Sequence, residues 1–158
     1  EAVGKAYTAT PADTVIYKMC VELNRKGRAA GGGFYDYPEG GKKNLWPGLK
    51  EHFQRADGGV PSPHQFQDLK DRLLYIQSIE TIRCLEEKVL RSVADANIGS
   101  IMGIGAPPWT GGLLQFVNYV GLPEFVRRSE ELAIKYGERF TPPKLLREMA
   151  ASGKTFTK

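Results

Sequence analysis

LKDRLLYIQSIETIRCLEEKVLRSVADANIGSIMGIGAPPWTGG, residues 69–112, joins the longest helical pattern of the chain to its least ordinary loop. Leu69, Leu73, Ile76, Ile79, Ile82, Leu85 and Val89 recur in it at steps of three or four, which draws one apolar stripe along a helix over residues 67–90. Charge gathers at the two ends, with Asp68, Lys70, Asp71 and Arg72 before the stripe and Glu86, Glu87, Lys88 and Arg91 after it. A mostly apolar middle between charged ends predicts the central and most buried helix of an all-helical core. Leu73, Ile76, Ile79, Ile82 and Leu85 are expected inside.

Working outward, Ser92 and Asp95 stand at capping-box spacing, so a second helix is expected from there, with Ala94, Ile98, Ile101 and Met102 as its buried side. Gly103 and Gly105 offer the positive backbone angle that stops a helix. Pro107 and Pro108 cannot extend it, Trp109 reads as a large anchor, and Gly111 and Gly112 leave room for close backbone approach. Leu113, Phe116, Val117 and Val120 then resume the helical period, so a rigid corner joins two helices. Gly121 closes that third helix, and Pro123 suits the first turn of a fourth whose buried side is Leu122, Phe125, Val126, Leu132, Ala133 and Tyr136. After Gly137, Thr141 before Pro142 and Pro143 is expected to cap a last helix packed through Leu145, Leu146 and Met149. No strand pattern is found.

Toward the N-terminus, residues 1–11 lack periodicity and begin abruptly, as expected of a cut edge in a longer chain. Asp13 is an N-cap candidate for a helix carrying Ile16, Met19, Cys20 and Leu23 and ending at Gly27. Gly31, Gly32 and Gly33 then lead into Phe34, Tyr35 and Tyr37. A dinucleotide fingerprint needs a buried strand before the glycines and a helix after them. Neither flank fits here, nor around Gly99 to Gly105, so neither glycine cluster reads as a phosphate loop. Residues 38–63 read as a linker with one short helix, in which Trp46 pins the linker to a helical body.

With 158 residues and 41% hydrophobic content the chain can bury one good core, since domains of this size hide roughly 70% of the surface of the unfolded chain. Cys20 and Cys84 lie far apart in apolar segments, which suits buried thiols of a reducing compartment. No apolar run reaches the roughly twenty residues of a membrane span, so a cytoplasmic protein is expected. The net charge of +4 is spread evenly, with nine Lys or Arg against seven acids in residues 1–60 and thirteen against eleven in the rest. Nucleic-acid binding wants cations clustered on one face, and none is expected. The runs from Arg25 to Arg28 and at Arg127 with Arg128 read as solvated helix surface or helix ends. His52 and His64 lack flanking cysteines or a carboxylate pattern, so no metal site is expected.

MCVELNRKGR at 19–28 echoes LLREMAASGK at 145–154, at an offset of 126 residues. The echo predicts two related helical repeats, one truncated: residues 1–37 as the tail of a first, 38–63 as linker, and 64–158 as a complete second. GRAAGGGFYDY (27–37) resembles the motif that closes the helical C-terminal domain of 3-hydroxyacyl-CoA dehydrogenases. DRLLYIQSIETIRCLEE (71–87), ADANIGSIMGIGAPPWTGG (94–112) and YVGLPEFV (119–126) are similar to the next copy of that domain, as found at the end of multifunctional fatty-acid β-oxidation enzymes.

The resemblance implies an all-α helical bundle like that C-terminal domain. It also implies a parent chain in which an enoyl-CoA hydratase region and an NAD-binding Rossmann domain precede two helical repeats. In the family a His–Glu pair of the Rossmann domain works with an Asn in an Asn-Arg-Leu-Leu motif of the first repeat. The matching motif here is Asp71-Arg72-Leu73-Leu74. An ionised Asp only accepts hydrogen bonds and would repel a developing oxyanion, so this copy looks like the non-catalytic second repeat. Asp71 is expected instead to charge the first turn of its helix. No residue is therefore assigned as catalytic, cofactor-binding or metal-binding; NAD belongs to the parent enzyme, and the isolated chain is expected to be inactive. Expected partners are the preceding helical repeat and the Rossmann domain, and self-association is expected too. The alternative is a helical interaction module that docks a partner such as thiolase through Trp46, Phe34 and Tyr35.

Overall fold

The computed structural model describes residues 10–54 and 58–157; most of the aperiodic N-terminal stretch lies outside the described residues. The described residues are mostly helical with one two-stranded hairpin, and the chain divides into two units, Glu1–Val60 and Pro61–Lys158.

In the larger unit, helix α3 (Pro63–Glu86) starts where Ser62 and Gln65 cap each other. The Ser62 Oγ accepts the Gln65 amide at 3.3 Å, the Gln65 Oε1 accepts the Ser62 amide at 2.8 Å, and Pro63 fills the first turn. It ends where Lys88 turns left-handed at φ 62° and the amides of Val89 and Leu90 both donate to the Cys84 carbonyl. Helix α4 (Val93–Ile104) opens on Ser92, whose Oγ accepts the Asp95 amide at 3.0 Å as the spacing predicts. Gly105, not Gly103, supplies the positive φ that stops it. Helices α5 (Leu113–Val120) and α6 (Leu122–Tyr136) follow, with Pro123 in the first turn of α6, and α7 (Lys144–Ala151) is the last. Thr141 does not cap α7, because its residue closes a preceding 3-10 turn. The Leu145 amide at the start of α7 instead donates to Glu86 Oε1 of α3 at 2.8 Å.

The core is aromatic at its centre. Tyr75 of α3 stacks on Phe125 of α6 with centroids 4.1 Å apart, and Phe116 of α5 meets both edge-on. Ile79, Ile82, Leu114, Val117, Leu132 and Leu146 enclose this stack, each contributing about 1.5–3 kcal/mol by leaving water. After α7 the chain returns to the core at Phe156, which is buried. Asn118 of α5 holds that residue at both backbone groups, its Nδ2 donating to the Phe156 carbonyl and its Oδ1 accepting the Phe156 amide.

Three expectations about burial are corrected. Only six of the 24 residues of α3 are buried against four of the eight in α5, so α5 is the more enclosed helix. Leu69, Leu73 and Val89 are exposed, Leu73 at 64%, while Ile76 and Leu85 are partly buried. The buried line of α3 runs instead through Asp68, Tyr75, Ser78, Ile79 and Ile82, so it includes polar and aromatic positions that a purely aliphatic stripe passes over. In α4 the inward residues are Ala96, Asn97 and Ser100; Ala94, Ile98 and Met102 face outward and Ile101 is partly buried. Trp109 reaches Phe116 edge-on at 6.4 Å but stays 70% exposed.

Among the described residues the smaller unit opens on α1 (Pro11–Tyr17), which starts two residues before the expected cap at Asp13. Thr10 is its N-cap, and Asp13 answers the Thr10 amide from the third helical position instead of capping the helix itself. The helix widens into a π turn over Lys18–Glu22 and ends at Leu23, before Gly27. Strands β1 (Tyr35–Asp36) and β2 (Asn44–Leu45) then pair antiparallel, a short hairpin that the sequence does not announce. Helix α2 (Gly48–Phe53) is the short helix expected in this region.

Candidate functional site

Three places carry the residues that the motifs single out. The first is the glycine loop of the smaller unit. The amides of Gly27, Gly32 and Gly33 donate to the carbonyls of Gly32, Gly27 and Tyr35, so the N–H groups that a phosphate cradle requires are engaged within the loop. A Cβ at Gly33 would stand 2.9 Å from the Gly27 Cα, which is why only glycine fits there. Arg25 organises the surroundings. Its Nε donates to the Gly33 carbonyl at 2.7 Å, its Nη2 to the Tyr35 carbonyl at 3.3 Å and to the Asp36 carboxylate, and its guanidinium lies 4.2 Å from the Trp46 ring. His52 stacks on Trp46 at 5.7 Å. Arg25 is thus a half-buried clamp and not solvated helix surface. Of the three anchors expected to dock a partner, Trp46 and Tyr35 are partly buried in this cluster, and Phe34 is exposed at 44%.

The second place is the corner between α4 and α5. Helix α5 has no side-chain cap of its own. Asn97 Oδ1 accepts the amides of Leu114 and Gln115 at 3.1 and 3.2 Å, and Ser100 Oγ accepts that of Leu113 at 3.2 Å, so α4 supplies the cap. Gly112 has φ 108°, and a Cβ on it would lie 2.4 Å from the Asn97 Cβ. The Thr110 hydroxyl accepts the Gly112 amide and donates to the Pro107 carbonyl, which fixes the turn. The polar and glycine positions of this motif are therefore what lets two helices meet closely.

The third place surrounds Asp71, in a cleft of about 320 Å3 between α3 and α6 lined by His64, Gln67, Tyr75, Glu124 and the ion pairs described next. Asp71 is not in the first turn, because α3 starts at Pro63. Its Oδ2 accepts Arg128 Nε at 2.9 Å and Nη2 at 2.8 Å, and its Oδ1 accepts Gln67 Nε2 at 2.7 Å. Asp68, one turn earlier and buried, accepts the Tyr136 hydroxyl, Arg128 Nη2 at 3.0 Å and Lys135 Nζ at 3.5 Å. The Tyr136 hydroxyl holds the Asp68 carboxyl below the usual carboxylate range, with Arg128 and Lys135 adding to it against the opposing effect of burial. Burial pushes the Tyr75 phenol up, so it stays neutral at ordinary pH. Arg128, which also reads in sequence as solvated surface, is the centre of this network and reaches Glu131 as well. Held by Arg128, Lys135, Tyr136 and Gln67, the two carboxylates tie α3 to α6.

An apolar groove of about 420 Å3 lies between α3 and α4, lined by Ile76, Cys84, Val89, Leu90, Ala96 and Ile104. The hydroxyls on its wall are engaged internally, Thr81 with the Gln77 carbonyl and Ser100 with Asn97, so it offers apolar surface and little else. Ile98 and Met102 stand exposed on the same helix, at 64% and 81%. Cys20 and Cys84 are both free and partly buried. Among the described residues no group of three or more His, Cys, Asp or Glu could hold a metal ion. Among them, too, no helix is long and apolar enough to cross a membrane. In a scan against protein-family models, no family model matches the chain.

Proposed function

We propose that the chain is the C-terminal helical part of a 3-hydroxyacyl-CoA dehydrogenase of fatty-acid β-oxidation, in which residues 64–158 form a second, non-catalytic repeat. In the parent enzyme NAD-dependent oxidation of 3-hydroxyacyl-CoA belongs to the Rossmann domain and the first repeat, and the second repeat braces that first one. The observation that carries this reading is the state of Asp71. Where the resembled motif has an amide that faces substrate, this chain has a carboxylate tied to Arg128 across two helices. A residue so engaged serves packing and leaves no donor for an oxyanion. The apolar groove between α3 and α4 supports the bracing role, because side chains of another helix would leave water on entering it.

A second reading, docking of a partner such as thiolase, draws support from Trp109 and Tyr119, which are exposed at 70% and 86%. Sedimentation over a concentration series, run beside calorimetry with NAD, separates the readings. The bracing role expects self-association that Ile104→Glu, on the groove lining, abolishes, with no heat from NAD. A strictly monomeric chain at every concentration would overturn it, and micromolar NAD binding would overturn the assignment to a non-catalytic repeat. Association with thiolase that survives Ile104→Glu and is lost in Trp109→Ala favours the second reading.

A further inference from the structure

We draw no further inference here: the strongest candidate, the apolar groove between α3 and α4, belongs to the site already described, and nothing in the structure shows what other occupant would cover it.

Discussion

The two units hold themselves together by different means. Residues 61–157 rest on a shared aromatic core, and beyond the local caps of α3 and α4 side chains reach across from other helices: Asn97 and Ser100 to the start of α5, Glu86 to the start of α7, Asn118 to the returning chain at Phe156. In residues 10–54, Met19 is the one buried hydrophobic side chain, and Arg25, just after the helix, ties the chain there to the glycine loop and the first strand through Gly33, Tyr35 and Asp36. A short segment can thus trade a core for one planar cation. The guanidinium offers several donors in one plane and an apolar face for stacking, so one residue satisfies carbonyls, a carboxylate and an indole together.

The largest expected effect tests the core. Phe125→Ala should cost about 3–5 kcal/mol in denaturant unfolding, since the ring is fully buried against Tyr75 and Phe116. Leu73→Ala, at a position 64% exposed, should change stability by less than about 0.5 kcal/mol. Equal losses at the two sites would mean that α3 buries its aliphatic stripe after all. Next comes the clamp. In a Trp109→Phe background, where Trp46 alone reports by fluorescence, Arg25→Ala should cost the smaller unit about 2–3 kcal/mol, and Arg25→Lys should recover less than half of it. Full recovery by lysine would show that charge alone matters there and not the planar fork.

The smallest effect is confined to acid. Asp68 has a folded-state pKa below its ordinary value of 3.8, so its ionised form adds stability above that value and the contribution is lost as pH falls through the lower folded value. Stability of the wild-type chain should therefore drop more steeply than that of Asp68→Asn below about pH 3.8, the interval where only the unfolded carboxyl is protonated. Parallel acid profiles for the two chains would remove the Asp68 network from the account.

How far the sequence carries follows the same division. The breaks between helices are legible, because Ser92 with Asp95, Pro123, Gly105 and the glycine pair at the corner act through local backbone chemistry. Which side of each helix faces inward is less so. Ser78 is fully buried and Leu73 is not, since burial depends on where neighbouring helices lie and not on the hydrophobicity of the residue alone. The clamps are the least legible. Arg25 and Arg128 read as surface cations, because their partners stand about ten and about sixty residues away and only folding brings them together. A charge run interrupted by a glycine of positive φ, as Gly27 interrupts the run at Arg25, is the one local signal that could have pointed to such a role.

The borrowed caps also set an order of events during refolding. Helices of eight residues are too short to persist alone in water, and α5 and α7 each have that length. The donors at the start of α5 find their acceptor only 17 or 18 residues back, on α4, whereas the Leu145 amide waits for Glu86, 59 residues away. Closing the longer loop costs more chain entropy and comes later. Helix α3, with its own reciprocal cap, can form early, the α4–α5 corner next, and α7 last. Pulse-labelled hydrogen exchange should find the amides of residues 145–151 gaining protection after those of 114–120, and the reverse order would mean that α7 docks before its cap is in place.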